Sequence, residues 1–330
     1  MRQATQTRKV CAEKILPQKM KYIDLHCDSA TVCLDRGYAL TNNDLHVNLD
    51  KLKEADCAAQ CFAIFTDGEG ARESFEKYLN FFLSSVRLNK LTLVDCFQRL
   101  ISRAQSKKPC AILTVENLGF TGGNEEEIIA LRDKGVLMAS LVWNSENCYA
   151  YPNLIFKGGM PDFSECEKRG LKEKGREAVE LLDSLKIIVD VSHLSDGGTD
   201  EILDGRKIPI VASHSNARAI RPMPRNLTDK QIRGIADCGG VVGINFCKDF
   251  LGDGKVFELV KRHLEHMIKI GGENVVAFGS DFDGIPTVKG LEGCEKMPAL
   301  IEYLDGVFGN RITEKLCFKN FARVLKDVRP

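Results

Sequence analysis

At 330 residues the chain is long enough for one large core or two ordinary ones, and 44% apolar with 28% charged residues is the balance of a globular enzyme. Lys plus Arg and Asp plus Glu both number 46, so the net charge is zero and nothing points to a nucleic acid or an anionic membrane as partner. No apolar run approaches the length of a membrane span. In chain order, residues 1–20 come first. They are basic at the start but lack the apolar stretch of a signal peptide, and read as a surface extension. Next comes YIDLHCDSA (22–30), a short apolar run with Asp24, His26 and Asp28 at alternate positions. An extended strand turns such positions to one face. A half-exposed strand with its polar face in water accounts for this. So does a metal site, because Asp and His are ligands of zinc and manganese.

Seven further β-branched runs follow, at 58–65, 110–116, 136–143, 187–193, 208–214, 240–246 and 275–281. Amphipathic stretches separate most of them, at 73–104, 125–135, 171–186, 227–239 and 257–272, with Thr228-Asp229 opening one helix and Gly239 or Gly271 closing another. Strands alternating with helices imply a parallel sheet, and eight such units in about 300 residues predict a single (β/α)8 TIM barrel over 21–330. A dinucleotide-binding open sheet is the competing fold, but no GxGxxG follows the first strand. The Gly- and Pro-rich 145–170 stretch reads as a long loop after the fourth strand, where a barrel builds its pocket. The 13 cysteines, odd in number and without a CxxC pair, fit free thiols in a reducing cytoplasm better than disulfides or a cysteine zinc site.

The strand ends carry the chemistry. His26 and Asp28, Glu116, His193, His214, and Asp281 with Asp283 end the first, third, fifth, sixth and eighth strands, and a barrel brings those ends to one face. Three of the six histidines sit there, while His46, His263 and His266 fall in loop or helix context and read as surface or core residues. Three histidines and two carboxylates exceed what one tetrahedral zinc requires. Two Zn2+ ions about 3.5–4 Å apart, bridged by Glu116, would use them all and give a hydroxide nucleophile near neutral pH. Asp281 would take its proton and pass it to a leaving amine.

With those residues in place the chain resembles the renal or membrane dipeptidase family of binuclear zinc peptidases, within the amidohydrolase-like barrels. The matching pieces are DLHCDS, VEN (115–117), DVSH (190–193), SHSNAR (213–218), RNLTD (225–229) and GSDFDG (279–284), in the family's order. The resemblance implies that His26, Asp28 and Glu116 hold one zinc and that Glu116, His193 and His214 hold the other. It implies Asp281 as the catalytic aspartate and Arg225 as the arginine that binds the substrate carboxylate, a role suited to its fork of donors. It further implies a dipeptide substrate and tolerance for a C-terminal D-residue; as to protein partners, the sequence leaves a homodimer open. One position departs from the pattern. Where well-known members carry a histidine that polarises the scissile carbonyl, this chain has Trp143, so that Asn144 or Asn147 is left to donate to the oxyanion while Trp143 walls the pocket. Two other readings remain open: a related amidohydrolase acting on another amide or a lactone, and a catalytically silent metal-binding barrel.

Overall fold

The computed structural model describes residues 20–330. The expected extension at 1–20 thus lies, Met20 apart, outside the described residues. Eight parallel strands close a barrel: β1 (Tyr22–Asp24), β2 (Cys57–Phe65), β3 (Cys110–Glu116), β4 (Val136–Ser140), β7 (Ile188–Asp190), β8 (Val211–Ala212), β9 (Val241–Ile244) and β10 (Val276–Phe278). Two short antiparallel strands, β5 (Phe156–Lys157) and β6 (Met160–Pro161), stand outside it as a hairpin. Around the barrel the order is β1-β10-β9-β8-β7-β4-β3-β2. The chain is thus the (β/α)8 barrel that its alternating pattern predicts.

Alternation within the strands builds two apolar layers. Along β3, Cys110 and Ile112 join the cluster that also holds Cys61 of β2, whereas Ala111, Leu113 and Val115 join the larger cluster packed against the helices. Glu116 follows Cys110 and Ile112 at even spacing, so the strand turns it to their side, at the C-terminal mouth. Phe321, Val324 and Leu325 of the C-terminal helix (Asn320–Val328) belong to the smaller cluster and help to cover it.

Three expectations are corrected. The 73–104 stretch forms two helices, Ala71–Leu88 and Phe97–Arg103, because Lys90 enters the left-handed region (φ 51) and Leu93 then pairs with Ala111 beside β3. The 145–170 stretch carries the hairpin and a helix at Phe163–Lys168, which Asp162 caps by accepting from Glu165 N. Finally, Asp24 does not join His26 and Asp28. Ile23 and Leu25 share the inner cluster while Cys27 lies in the outer one, so strict alternation ends after Leu25. Asp24 instead accepts from Ser280 N (2.8 Å), Ser280 Oγ (2.6 Å) and Gln60 Nε2 (3.1 Å), tying β1 to its two neighbours.

Candidate metal centre

The strand ends bring six buried side chains together: His26, Asp28, Glu116, His193, His214 and Asp281. Their ligand atoms fall into three groups of mutually close donors, His26–Asp28–Glu116, Glu116–His193–His214 and His26–His214–Asp281. Glu116 faces two ways. Its Oε2 lies 3.7 Å from His26 Nε2, while Oε1 lies 2.8 Å from His193 Nε2 and 3.7 Å from His214 Nε2. His26 Nε2 is also 3.4 Å from Asp28 Oδ2 and 3.9 Å from Asp281 Oδ1.

The backbone is shaped for this convergence. His193 (φ 70), Asp281 (φ 63) and Asn117 (φ 74), beside Glu116, all occupy the left-handed region, which costs non-glycine residues strain. Gly284 lies so close that a Cβ there would stand 2.1 Å from Asp28 Oδ2 and 2.6 Å from Asp281 Oδ1.

The outward faces of the imidazoles are held. His193 Nδ1 lies 2.8 Å from Asn144 Oδ1, an acceptor, so it carries the proton. His214 Nδ1 lies 2.7 Å from Ser213 Oγ, which donates to Asp190 Oδ2 at 2.5 Å, so this nitrogen also donates. Both Nε2 atoms therefore present lone pairs, and they face each other at 2.9 Å. His26 Nε2 is buried without a hydrogen-bond partner. Lone pairs aimed at one another beside three carboxylates are a donor set that a divalent cation relieves, and imidazole with carboxylate suits zinc.

Electrostatics carry the same strain. Burial pushes the Glu116 carboxyl up to about 8, against the pull of His26. Burial likewise raises Asp281 to about 6, with Asp28 adding repulsion. His26 is opposed by burial, but Glu116 and Asp28 outweigh it and raise it to about 10. Burial drives His193 and His214 well below the usual imidazole range, helped by Arg225 and His26.

Arg225 lies beside this cluster and is 1% exposed. Its Nη2 is 3.2 Å from His193 Nε2 and donates to His214 O at 3.2 Å, Nη1 reaches Ser215 Oγ at 3.4 Å, and Nε has no partner. Among the described residues no carboxylate pairs with it. A cavity of about 500 Å3 opens over the cluster, with Arg225, Trp143 and Asn144 in its wall. The Trp143 ring stands 4.7 Å from that of Phe65 and 6.2 Å from that of His193.

Other candidates fall elsewhere. Asn147 is fully engaged, donating to Asn117 Oδ1 and Leu141 O and accepting from Tyr149 N and Ala150 N. The Asp283 carboxylate accepts from Ser29 Oγ, His46 N and Val47 N. His263 is buried in its helix and bonded to Ala217 N and Leu251 O. His266 pairs with Asp229. Sequence reasoning assigned no role to Asp190, Ser213 or Asn245. The first two stand inside the DVSH and SHSNAR pieces, one residue class removed from the obvious ligands. Asn245, which donates to Asp281 Oδ2 at 2.8 Å, sits in an apolar run that offers no signal.

A family model described as membrane dipeptidase (peptidase family M19) matches residues 11–330. The chain belongs to this family. A Klebsiella pneumoniae protein described only by its place in the pqqA 5′ region is 35% identical over 69% of this chain and 86% of its own length. An uncharacterized dipeptidase of Schizosaccharomyces pombe is 34% identical over 64% of this chain, and the match spans about half (51%) of that relative. Among solved structures, the M19 metallopeptidase called dipeptidase AC aligns with a TM-score of 0.85 at 25% identity, covering 94% of this chain and 99% of that one. A Rhodobacter sphaeroides metallopeptidase, liganded with a phosphinate mimic of L-Ala-D-Ala, shares the fold at 24% identity and a TM-score of 0.84, over 94% and 100% of the two chains. Within the M19 frame, the cluster at the strand ends is the candidate metal centre of a metallopeptidase.

Proposed function

We propose that this chain is a zinc metallo-dipeptidase that cleaves dipeptides with a free C-terminal carboxylate. One observation carries the substrate class: Arg225 is a buried cation that among the described residues forms no ion pair, in the wall of the cavity over the cluster. A buried charge left unpaired is costly, and a carboxylate presented to its fork would compensate it.

The residues fit two divalent cations. His26, Asp28 and Glu116 would hold one, and Glu116, His193 and His214 the other, with Glu116 shared through its two oxygens. Cations there would supply Lewis acidity and lower the pKa of water toward neutrality. The chain's own groups do the rest. Arg225 anchors the carboxylate. Asp281, with Oδ2 held by Asn245 and Oδ1 toward His26, takes the proton of the attacking water and returns it to the departing amine. Asn144 acts through His193, whose tautomer it sets. Trp143 walls the cavity in place of the family's histidine. The family resemblance supports tolerance for a D-residue at the C-terminal side. The described cysteines are all free, in keeping with a reducing compartment such as the cytoplasm.

The test is a panel of L,L and L,D dipeptides offered to the zinc-loaded protein, with metal content measured by mass spectrometry. Two ions per chain and release of free amino acids are expected. Cleavage of N-acyl amides or lactones without dipeptides would move the chain to the broader amidohydrolase reading. Tight metal binding with no hydrolysis would make it a silent barrel.

A further inference from the structure

Resting on the dipeptidase reading, we infer that the end of the cavity opposite Arg225 is a subsite for a cationic side chain, arginine or lysine, on the residue N-terminal to the cleaved bond. In the ring of eight strands β2 stands diametrically across from β8. Arg225 follows β8, so a dipeptide anchored there by its carboxylate extends toward the residues that follow β2.

Those residues are prepared for a ligand. Thr66 is 3% exposed and lines the cavity, and its buried Oγ1 has no hydrogen-bond partner among the described residues. The next residue, Asp67, also lines the cavity. Its Oδ1 accepts from Asn117 Nδ2 (3.0 Å) and Ser145 Oγ (2.6 Å), which fixes the carboxylate, and Oδ2 has no hydrogen bond among the described residues. Asn117 directly follows Glu116 and also donates to Thr66 O at 2.8 Å, so this edge is tied to the metal centre. A second lining carboxylate, Asp35, accepts from Tyr78 OH at 2.8 Å. Neither Asp35 nor Asp67 has an ion-pair partner among the described residues. Phe65 and Trp143, in contact with each other, add an aromatic wall to the same cavity. Aromatic faces accept the aliphatic stem of lysine or the plane of a guanidinium, and the carboxylates then meet its charge. The tryptophan that departs from the family pattern thereby becomes part of substrate selection.

The experiment compares lysyl-alanine with norleucyl-alanine, which differ at the side-chain tip by an ammonium group, on the zinc-loaded full chain. A partly exposed ion pair predicts a kcat/KM ratio of about fivefold or more in favour of lysine, shrinking at high salt. In Asp67→Asn the ratio should fall toward one. A ratio near one in the wild type overturns the subsite, as does a ratio that survives the substitution. If Asp67→Asn instead lowers both substrates alike, Asp67 reads the α-ammonium common to all dipeptides and the inference fails. Hydrolysis of neither substrate marks failure of the dipeptidase reading itself, and the subsite falls with it.

Discussion

Replacing Arg225 by Met removes the guanidinium while keeping most of the stem. Arg225 is fixed by His214 O and Ser215 Oγ, and among the described residues no carboxylate forms an ion pair with it, although Asp281 and Glu116 favour its charge from farther off. A charge-assisted, bidentate pair to a substrate carboxylate contributes about 1.5–3 kcal/mol. That range corresponds to about ten- to a few-hundred-fold in kcat/KM, and the burial of Arg225 places the expectation in its upper half. Free dipeptides should therefore lose about a hundredfold. Dipeptides amidated at the C-terminus should be poor substrates of the wild type and almost indifferent to the change, the comparison forming a double-mutant cycle with the ligand as one partner. Thermal unfolding supplies the control. Burial outweighs the pull of Asp281 and Glu116 on this charge, so an apolar stem in its place should leave Tm level or raise it. Equal losses for free and amidated substrates would refute the assignment of Arg225 to the carboxylate. A clear fall in Tm would refute the claim that burial outweighs what the nearby carboxylates supply.

Three other outcomes follow from the same geometry. Asp281→Asn should lower kcat by about 10²–10⁴-fold in steady-state assays while thermal unfolding stays near that of the wild type, and a variant keeping half its kcat would remove the proton role from Asp281. Gly284→Ala drives a methyl into Asp28 and Asp281, and should cost about 10²-fold or more in kcat/KM together with metal content; near-normal values for both would show that the site yields more than its packing suggests. Burial holds His263 down from 6.5 to about 4, so the unfolded chain binds a proton that the folded one refuses between these values. Its contribution is present above pH 6.5 and lost as pH falls toward 4, by up to about 3 kcal/mol. Urea midpoints should therefore drop more steeply over that window in the wild type than in His263→Gln, and parallel curves would refute the account.

The barrel was legible because each strand is buried on both faces and so reads as an apolar run, and because the intervening helices keep their period. The six clustering residues were legible for a related reason: polar groups that end apolar runs are conspicuous, and the fold alone brings those ends together. Asp24 shows where the pattern misleads. It shares the spacing of His26 and Asp28, but the break after Leu25 is a matter of backbone geometry that no side chain announces. Asn245 and Ser213 were illegible for another reason. They act through Asp281 and His214, and the bonds that place them, Asn245 to Asp281 and Ser213 to Asp190, join segments well apart in sequence and leave no trace in either.

Asp190 shows how such a residue can matter without touching the centre. Its Oδ1 accepts from Ser192 N and Ser213 N, and its Oδ2 from Ser213 Oγ. One carboxylate thus ties the ends of β7 and β8, which deliver His193 and His214, and through Ser213 it fixes which nitrogen of His214 keeps a proton. Glu116, pushed up by burial, and His26, raised against burial by Glu116 and Asp28, share a proton near neutrality when no cation is present. His193 and His214 take up none, and their held outer nitrogens leave both lone pairs directed inward. His193 and His214 are therefore ready for a cation, whereas His26 and Glu116 would first give up a proton, so binding at the centre would exchange protons for metal charge.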